Sequence, residues 1–217
     1  MSDDTKLIED YAQRRAHDNR NETVGREYLE SKLLQKFPTY KTCSERGRQV
    51  RGIDMTWTGK DGYEYKCDLK VAIWVAKYLG TGCLECAGRY ERRGEWFPYT
   101  GWFLNENEES NSLAYLWIDG TTTDKDPQTP EDITKAEVCI VKTEDIWNYL
   151  GKLGWTREIL KTKIAEIVGH EEEYFRTKWI NNVGFNSPEW LYRKERPVNI
   201  LLSRQVYREL AVFNQKW

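Results

Sequence analysis

The chain reads as an α/β protein with a mixed central β-sheet flanked by helices. Three features predict this: helical spacing of apolar residues near the N-terminus, two alternating stretches joined by an Asp-Gly turn, and strand-like and helix-like segments interleaved to the end. A length of 217 residues suits one well-filled domain. The predicted organisation is a polar N-terminal arm over residues 1–21 and a single domain over residues 22–217, with no linker or repeat dividing it.

Taken in order, Val24, Tyr28, Leu29, Leu33, Leu34 and Phe37 recur at helical spacing, which predicts a helix from about Glu22 to Phe37. Pro38 ends it, because proline disfavours helical geometry in the residue before it. The period then changes. In Val50–Thr58, Ile53, Met55 and Trp57 alternate with Gly52, Asp54 and Thr56; in Gly62–Ala72, Tyr63, Tyr65, Cys67, Leu69 and Val71 alternate with Glu64, Lys66, Asp68 and Lys70. Gly59-Lys60-Asp61-Gly62 between them carries the hairpin signal of Asp-Gly. Further strands are predicted at Cys83–Tyr90, Ser112–Asp119, Ala136–Lys142 and Val198–Leu202. Thr143, Thr156 and Ser203 are helix caps before Glu144–Leu150, the run Ile159, Ile164, Ile167 and Val168, and Arg204–Phe213.

Thirty-three Lys and Arg against thirty-five Asp and Glu leave a net charge of −2, which excludes a polybasic nucleic-acid coat and leaves any such contact to local clusters. No stretch approaches the roughly 18 uninterrupted apolar residues of a membrane span. The first ten residues lack the apolar region of a secretory signal, so no membrane partner and a cytoplasmic location are expected. Five cysteines, an odd number in such a chain, predict reduced thiols. Ten Trp, thirteen Tyr and six Phe can fill a core despite the high charge.

The hairpin brings charged groups together. Residues two apart on a strand share a face, so Asp68 and Lys70 project together. If the loop is Lys60–Gly62, Gly59 pairs with Tyr63 and Asp54 falls opposite Asp68; a two-residue loop slides the register and loses this pairing. Facing carboxylates repel, but they suit a hard divalent cation, which takes oxygen ligands and usually one or two carboxylates with water and phosphate. Such a cation neutralises a phosphate and lowers the pKa of its water, and Lys70 can hold that water or the crowded phosphate.

Gly52-Ile53-Asp54 followed by Asp68-Leu69-Lys70 resembles the motif of the PD-(D/E)XK nuclease superfamily, the restriction-endonuclease-like fold. The order of helix, Asp strand, (D/E)XK strand and third strand is also similar from about residue 22 to 119. Thr81–Glu85, Tyr99–Trp102 and Ala114–Trp117 look like segments of phage-encoded members. Ile53 stands where the family's Pro is usual, and Asp68 where Glu is commoner. The resemblance implies a Mg²⁺- or Mn²⁺-dependent deoxyribonuclease acting on DNA. In it Asp54, Asp68 and the Leu69 carbonyl hold the metal and Lys70 is catalytic; restriction-type cutters are often homodimers. The family also takes a Glu from its N-terminal helix, for which Glu30, on the face of Leu33, Leu34 and Phe37, is favoured over Glu27. Glu85 on the third strand could meet a metal-bound water.

Each candidate has a plainer reading. Asp54, Asp68 and Lys70 could form a cross-strand charge cluster on a solvated face, and Glu30 and Glu85 could be surface carboxylates. The same fold without catalysis would serve as a nucleic-acid- or protein-binding module. Arg46, Arg48 and Arg51 before the Asp54 strand, and Arg89, Arg92 and Arg93 after the third strand, are either solvated loop charge or phosphate contacts. Cys83 and Cys86 lack the paired spacing of a zinc site and read as buried thiols, a cysteine-ligated metal being the other option. His17 and His170 have no evident partners, and no GxxxxGK[ST] phosphate loop is present.

Overall fold

A computed structural model describes residues 3–43, 52–73, 79–123, 125–174, 176–187 and 195–217. The architecture is α/β, with two β-sheets and flanking helices among the described residues. The chain falls into two compact units, each built on its own sheet. One comprises His17–Gly80, Glu109–Ile146 and Arg204–Trp217; the other comprises Met1–Ala16, Thr81–Glu108 and Trp147–Ser203.

Helix α1 spans Asp3–Leu33, so the helix predicted from Glu22 begins nineteen residues earlier and takes in the stretch expected as a loose arm. Polar, charged residues such as Glu, Lys, Gln and Arg are good helix formers, and the absence of an apolar stripe conceals such a helix from periodicity. The helix stops at Leu33 and a turn carries the chain to Pro38.

In the first unit, β1 (Lys41–Thr42), β2 (Met55–Thr58), β3 (Glu64–Ile73), β6 (Ser112–Thr121), β7 (Ile133–Lys142) and β11 (Phe213–Lys216) form a sheet in that spatial order. The β3–β6 pair is parallel and the others antiparallel, so the sheet is mixed as expected. The hairpin has the three-residue loop. Met55 pairs with Cys67 and Thr58 with Glu64, Gly59 N donates to Tyr63 O at 2.9 Å, and Gly62 N donates to Gly59 O at 3.0 Å. Gly62 has φ +79°, a left-handed conformation that closes such a loop and that a side chain would strain.

Alternation puts Met55, Trp57, Tyr65, Cys67 and Leu69 on one face, with Ala114, Leu116, Ile118, Val138 and Ile140 beside them. Val24, Tyr28, Leu29 and Leu33 of α1 join this core. Each fully buried aliphatic side chain here stabilises by about 1.5–3 kcal/mol. Gly25 is the point of close approach: a Cβ there would lie 2.8 Å from both methyls of Val71. Leu34, expected on the buried face, is instead 47% exposed because the helix has ended before it.

The opposite face carries Tyr115 and Trp117, stacked at 4.4 Å, under Tyr207 of α4 (Arg204–Leu210). Arg204 anchors α4: its guanidinium binds Asp119 bidentately at 2.9 and 2.7 Å and Glu137 at 3.0 Å, and lies over the Trp117 ring. Arg208 and Asn214 also bind Glu137. Burial opposes ionisation of Glu137, but the Arg208 and Asn214 hydrogen bonds and the two guanidinium charges outweigh it and hold the carboxyl at about 2. The helix predicted to Phe213 thus ends at Leu210, and Phe213 starts β11. His17, predicted to be partnerless, meets Asp126 of the β6–β7 connection, a contact over a hundred residues apart in sequence.

In the second unit, β5 (Glu95–Thr100), β4 (Thr81–Arg92), β10 (Glu195–Ser203), β9 (Val183–Asn186) and β8 (Lys178–Ile180) form an antiparallel sheet in that order. Cys83–Tyr90 is therefore a strand, but it lies in this sheet; the second neighbour of β3 is β6. Helix α2 (Thr143–Lys152) follows β7 directly, and α3 (Arg157–Gly169) is capped by Thr156, whose hydroxyl accepts from Ile159 N at 3.3 Å. All five cysteines are reduced thiols, and only Cys83 is less than buried.

Candidate active site

The end of the β2–β3 hairpin away from its turn gathers the charged residues. Asp54 precedes β2, and its main chain is held on both sides: its N donates to Cys67 O at 2.8 Å, and Cys43 N donates to its O at 2.7 Å. Its carboxylate takes the place of the next main-chain acceptor, for Leu69 N donates to Asp54 Oδ2 at 2.8 Å. The carboxylate therefore lies where the β2 ladder stops, in reach of groups from either face of the sheet.

Asp68 and Lys70 lie on the face of β3 turned away from α1, as their alternation with Cys67 and Leu69 requires. Lys70 Nζ donates to Asp68 Oδ1 at 2.9 Å and lies 2.8 Å from Oδ2. Asp68 Oδ2 is sealed from solvent, with the Lys70 ammonium 2.8 Å away. Burial pushes the Asp68 carboxyl up to about 7; the charge of Lys70 opposes this, while the charge and hydrogen bond of Asp54 add to it. Two carboxylates close enough to share a proton, one buried, are the donors a hard divalent cation takes with water and phosphate. Among the described residues no group of three or more His, Cys, Asp and Glu gathers to hold a metal. The described residues thus offer two carboxylates, Asp54 and Asp68, as oxygen donors at this place.

The helix contributes a cation. Arg26 Nη2 donates to Asp54 Oδ1 at 3.2 Å and to Glu22 Oε1, one turn earlier, at 2.6 Å. Glu30 instead accepts from Thr42 Oγ1 at 3.0 Å and sits beside the buried Tyr40, whose phenol is pushed up by burial and by the Glu30 charge. Glu27 is exposed. Sequence reasoning missed Arg26 and Glu22. The signal was present as an acid–base pair four apart on a helix, but such pairs are common and periodicity could not orient the face.

The other candidates divide. Leu69 is buried in the core, and its amide is the group that meets Asp54. Glu85, in register with Asn199 on β10, belongs to the second unit, as do Arg89, Arg92 and Arg93. Arg89 donates to Val168 O at the end of α3, and Arg93 occupies the β4–β5 turn with φ +55°. Arg46, Arg48 and Arg51 lie outside the described residues. No helix among the described residues is long and apolar enough to cross a membrane. The chain matches no family model, no curated protein and no solved structure.

Proposed function

We propose that the chain is a metal-dependent nuclease that hydrolyses DNA phosphodiester bonds. One observation carries this reading: Asp54, Asp68 and Lys70 meet at the open end of one hairpin, two carboxylates and an amine on a rigid ladder. Asp54 and Asp68 would hold Mg²⁺ or Mn²⁺, which supplies charge neutralisation for the phosphate and a lowered pKa for its water. Cation entry requires Asp68 to shed any proton, and the neighbouring Asp54 charge then becomes an asset. Lys70 stays within reach of the Asp68 carboxylate, where its ammonium can donate to the attacking water or to a phosphate oxygen as charge builds. Water adds to phosphorus, the bond to the leaving oxygen breaks, and that oxygen takes up a proton.

Lys70 across both Asp68 oxygens, and Arg26 on Asp54, also suit a self-neutralised cluster in a binding module. Incubation of the purified chain with linear, circular, branched and single-stranded DNA decides between them. We expect cleavage in Mg²⁺ that stops with chelator, and loss of at least a hundredfold in turnover for Asp54→Asn and for Lys70→Ala. A folded chain that cuts none of these substrates in Mg²⁺ or Mn²⁺ overturns the enzyme reading.

A further inference from the structure

We propose that Arg26 is a positioning residue that grips a phosphate oxygen of the DNA beside Asp54, an inference that rests on the nuclease reading of that site. Arg26 is three-quarters buried, its side chain 23% exposed, yet among the described residues both of its hydrogen bonds leave from one nitrogen, Nη2. Its Nε is sealed from solvent and has no hydrogen-bond partner among the described residues. A buried guanidinium donor left unbonded is unfavourable. The helix nevertheless holds it there, for Glu22 fixes the group at 2.6 Å while Asp54 is reached only at 3.2 Å.

A planar guanidinium presents its donors in forks that match two oxygens of a phosphate, which an ammonium cannot do. Arg26 comes from the α1 side of the sheet and binds Asp54, while Lys70 lies on the other side and binds Asp68. A phosphodiester held next to Asp54 would meet the exposed quarter of the Arg26 side chain, not its sealed Nε, and leave the weak Asp54 bond free to open when a cation enters. Glu22 prevents the freed guanidinium from swinging into solvent. Arg26 then positions the substrate and carries no proton in the reaction.

The test is DNA binding in chelator, by anisotropy of a labelled duplex and a labelled single strand across a salt series, with Arg26→Gln, Arg26→Lys and Glu22→Gln. For Arg26→Gln we expect at least tenfold weaker binding and a slope of log K against log salt shallower by about one. Arg26→Lys should restore the slope without the full affinity, and Glu22→Gln should keep the slope. A wild-type slope in Arg26→Gln, or no salt-dependent binding by the wild type, overturns the proposal. If Arg26→Gln does not fold, Arg26→Lys decides it: affinity equal to wild type removes the fork from the account. Wild-type chain that binds as described but never cuts removes the nuclease reading alone; cutting with an unchanged Arg26→Gln slope removes this inference alone.

Discussion

The main-chain amide of Leu69 donates to the side chain of Asp54 across the hairpin, at 2.8 Å, in place of a ladder carbonyl. That one bond aims the Asp54 carboxylate and sets it beside Asp68, whose carboxyl is made hard to ionise first by burial and then by the Asp54 charge. The arrangement has measurable consequences for stability as well as for chemistry.

Asp68 titrates at about 7 in the fold, chiefly through burial, against about 3.9 in an unfolded chain. The folded state therefore holds the extra proton between those values. Its contribution to stability is complete below about pH 4 and is lost as pH rises through about 7. In chelator, we expect the wild-type melting temperature to fall from pH 5 to pH 8, and the fall to be smaller in Asp68→Asn. Parallel curves for the two proteins would refute the assignment.

Asn111 reproduces a strand end with its side chain. Lys66 N donates to its Oδ1 at 2.9 Å, its Nδ2 donates to Glu64 O at 2.8 Å, and its own N donates to Lys66 O at 3.0 Å. It thereby sets the first rung of the parallel β3–β6 pair, Cys67 against Ser112. Asn111→Ala should cost about 1–3 kcal/mol in urea unfolding, through main-chain groups left unpaired; Asn111→Asp should recover only the part owed to the Lys66 amide.

Glu137 and Arg204 are each 1% exposed and bind one another inside the unit. Glu137→Gln removes the carboxylate shared by Arg204 and Arg208 while Asp119 still pairs with Arg204, so a loss of about 1–3 kcal/mol is expected by chemical denaturation. Because the Glu137 carboxyl is held at about 2, its share of stability is present above about pH 4.5 and disappears as pH falls toward 2. The acid limb of the wild-type stability curve should accordingly flatten in the variant.

Gly25→Ala sets helix propensity, a gain of about 1 kcal/mol, against a methyl 2.8 Å from both Val71 methyls and 3.3 Å from Leu116. Overpacking of this kind costs about 1–3 kcal/mol, so net destabilisation is expected. The double variant Gly25→Ala, Val71→Ala should be more stable than the two single effects added together. Additive effects would show that α1 does not pack as described.

The amino-acid order by itself determined the hairpin and, through a period of two on either side of Asp-Gly, the shared face of Asp68 and Lys70, while the three-residue loop, and with it the register, came from the structure. It also determined the four longer strands and the Thr156-capped helix, because each carries its own local pattern. Tertiary structure alone decided that β3 would pair with a strand some forty residues on, that Cys83–Tyr90 would join a second sheet, and that Arg26 rather than Glu30 would turn toward Asp54. Two- to four-residue strands such as β1, β8 and β11 are too short to display a period. A polar helix shows no preferred face, and pairing between distant segments leaves no mark on either until the chain has closed around a common core.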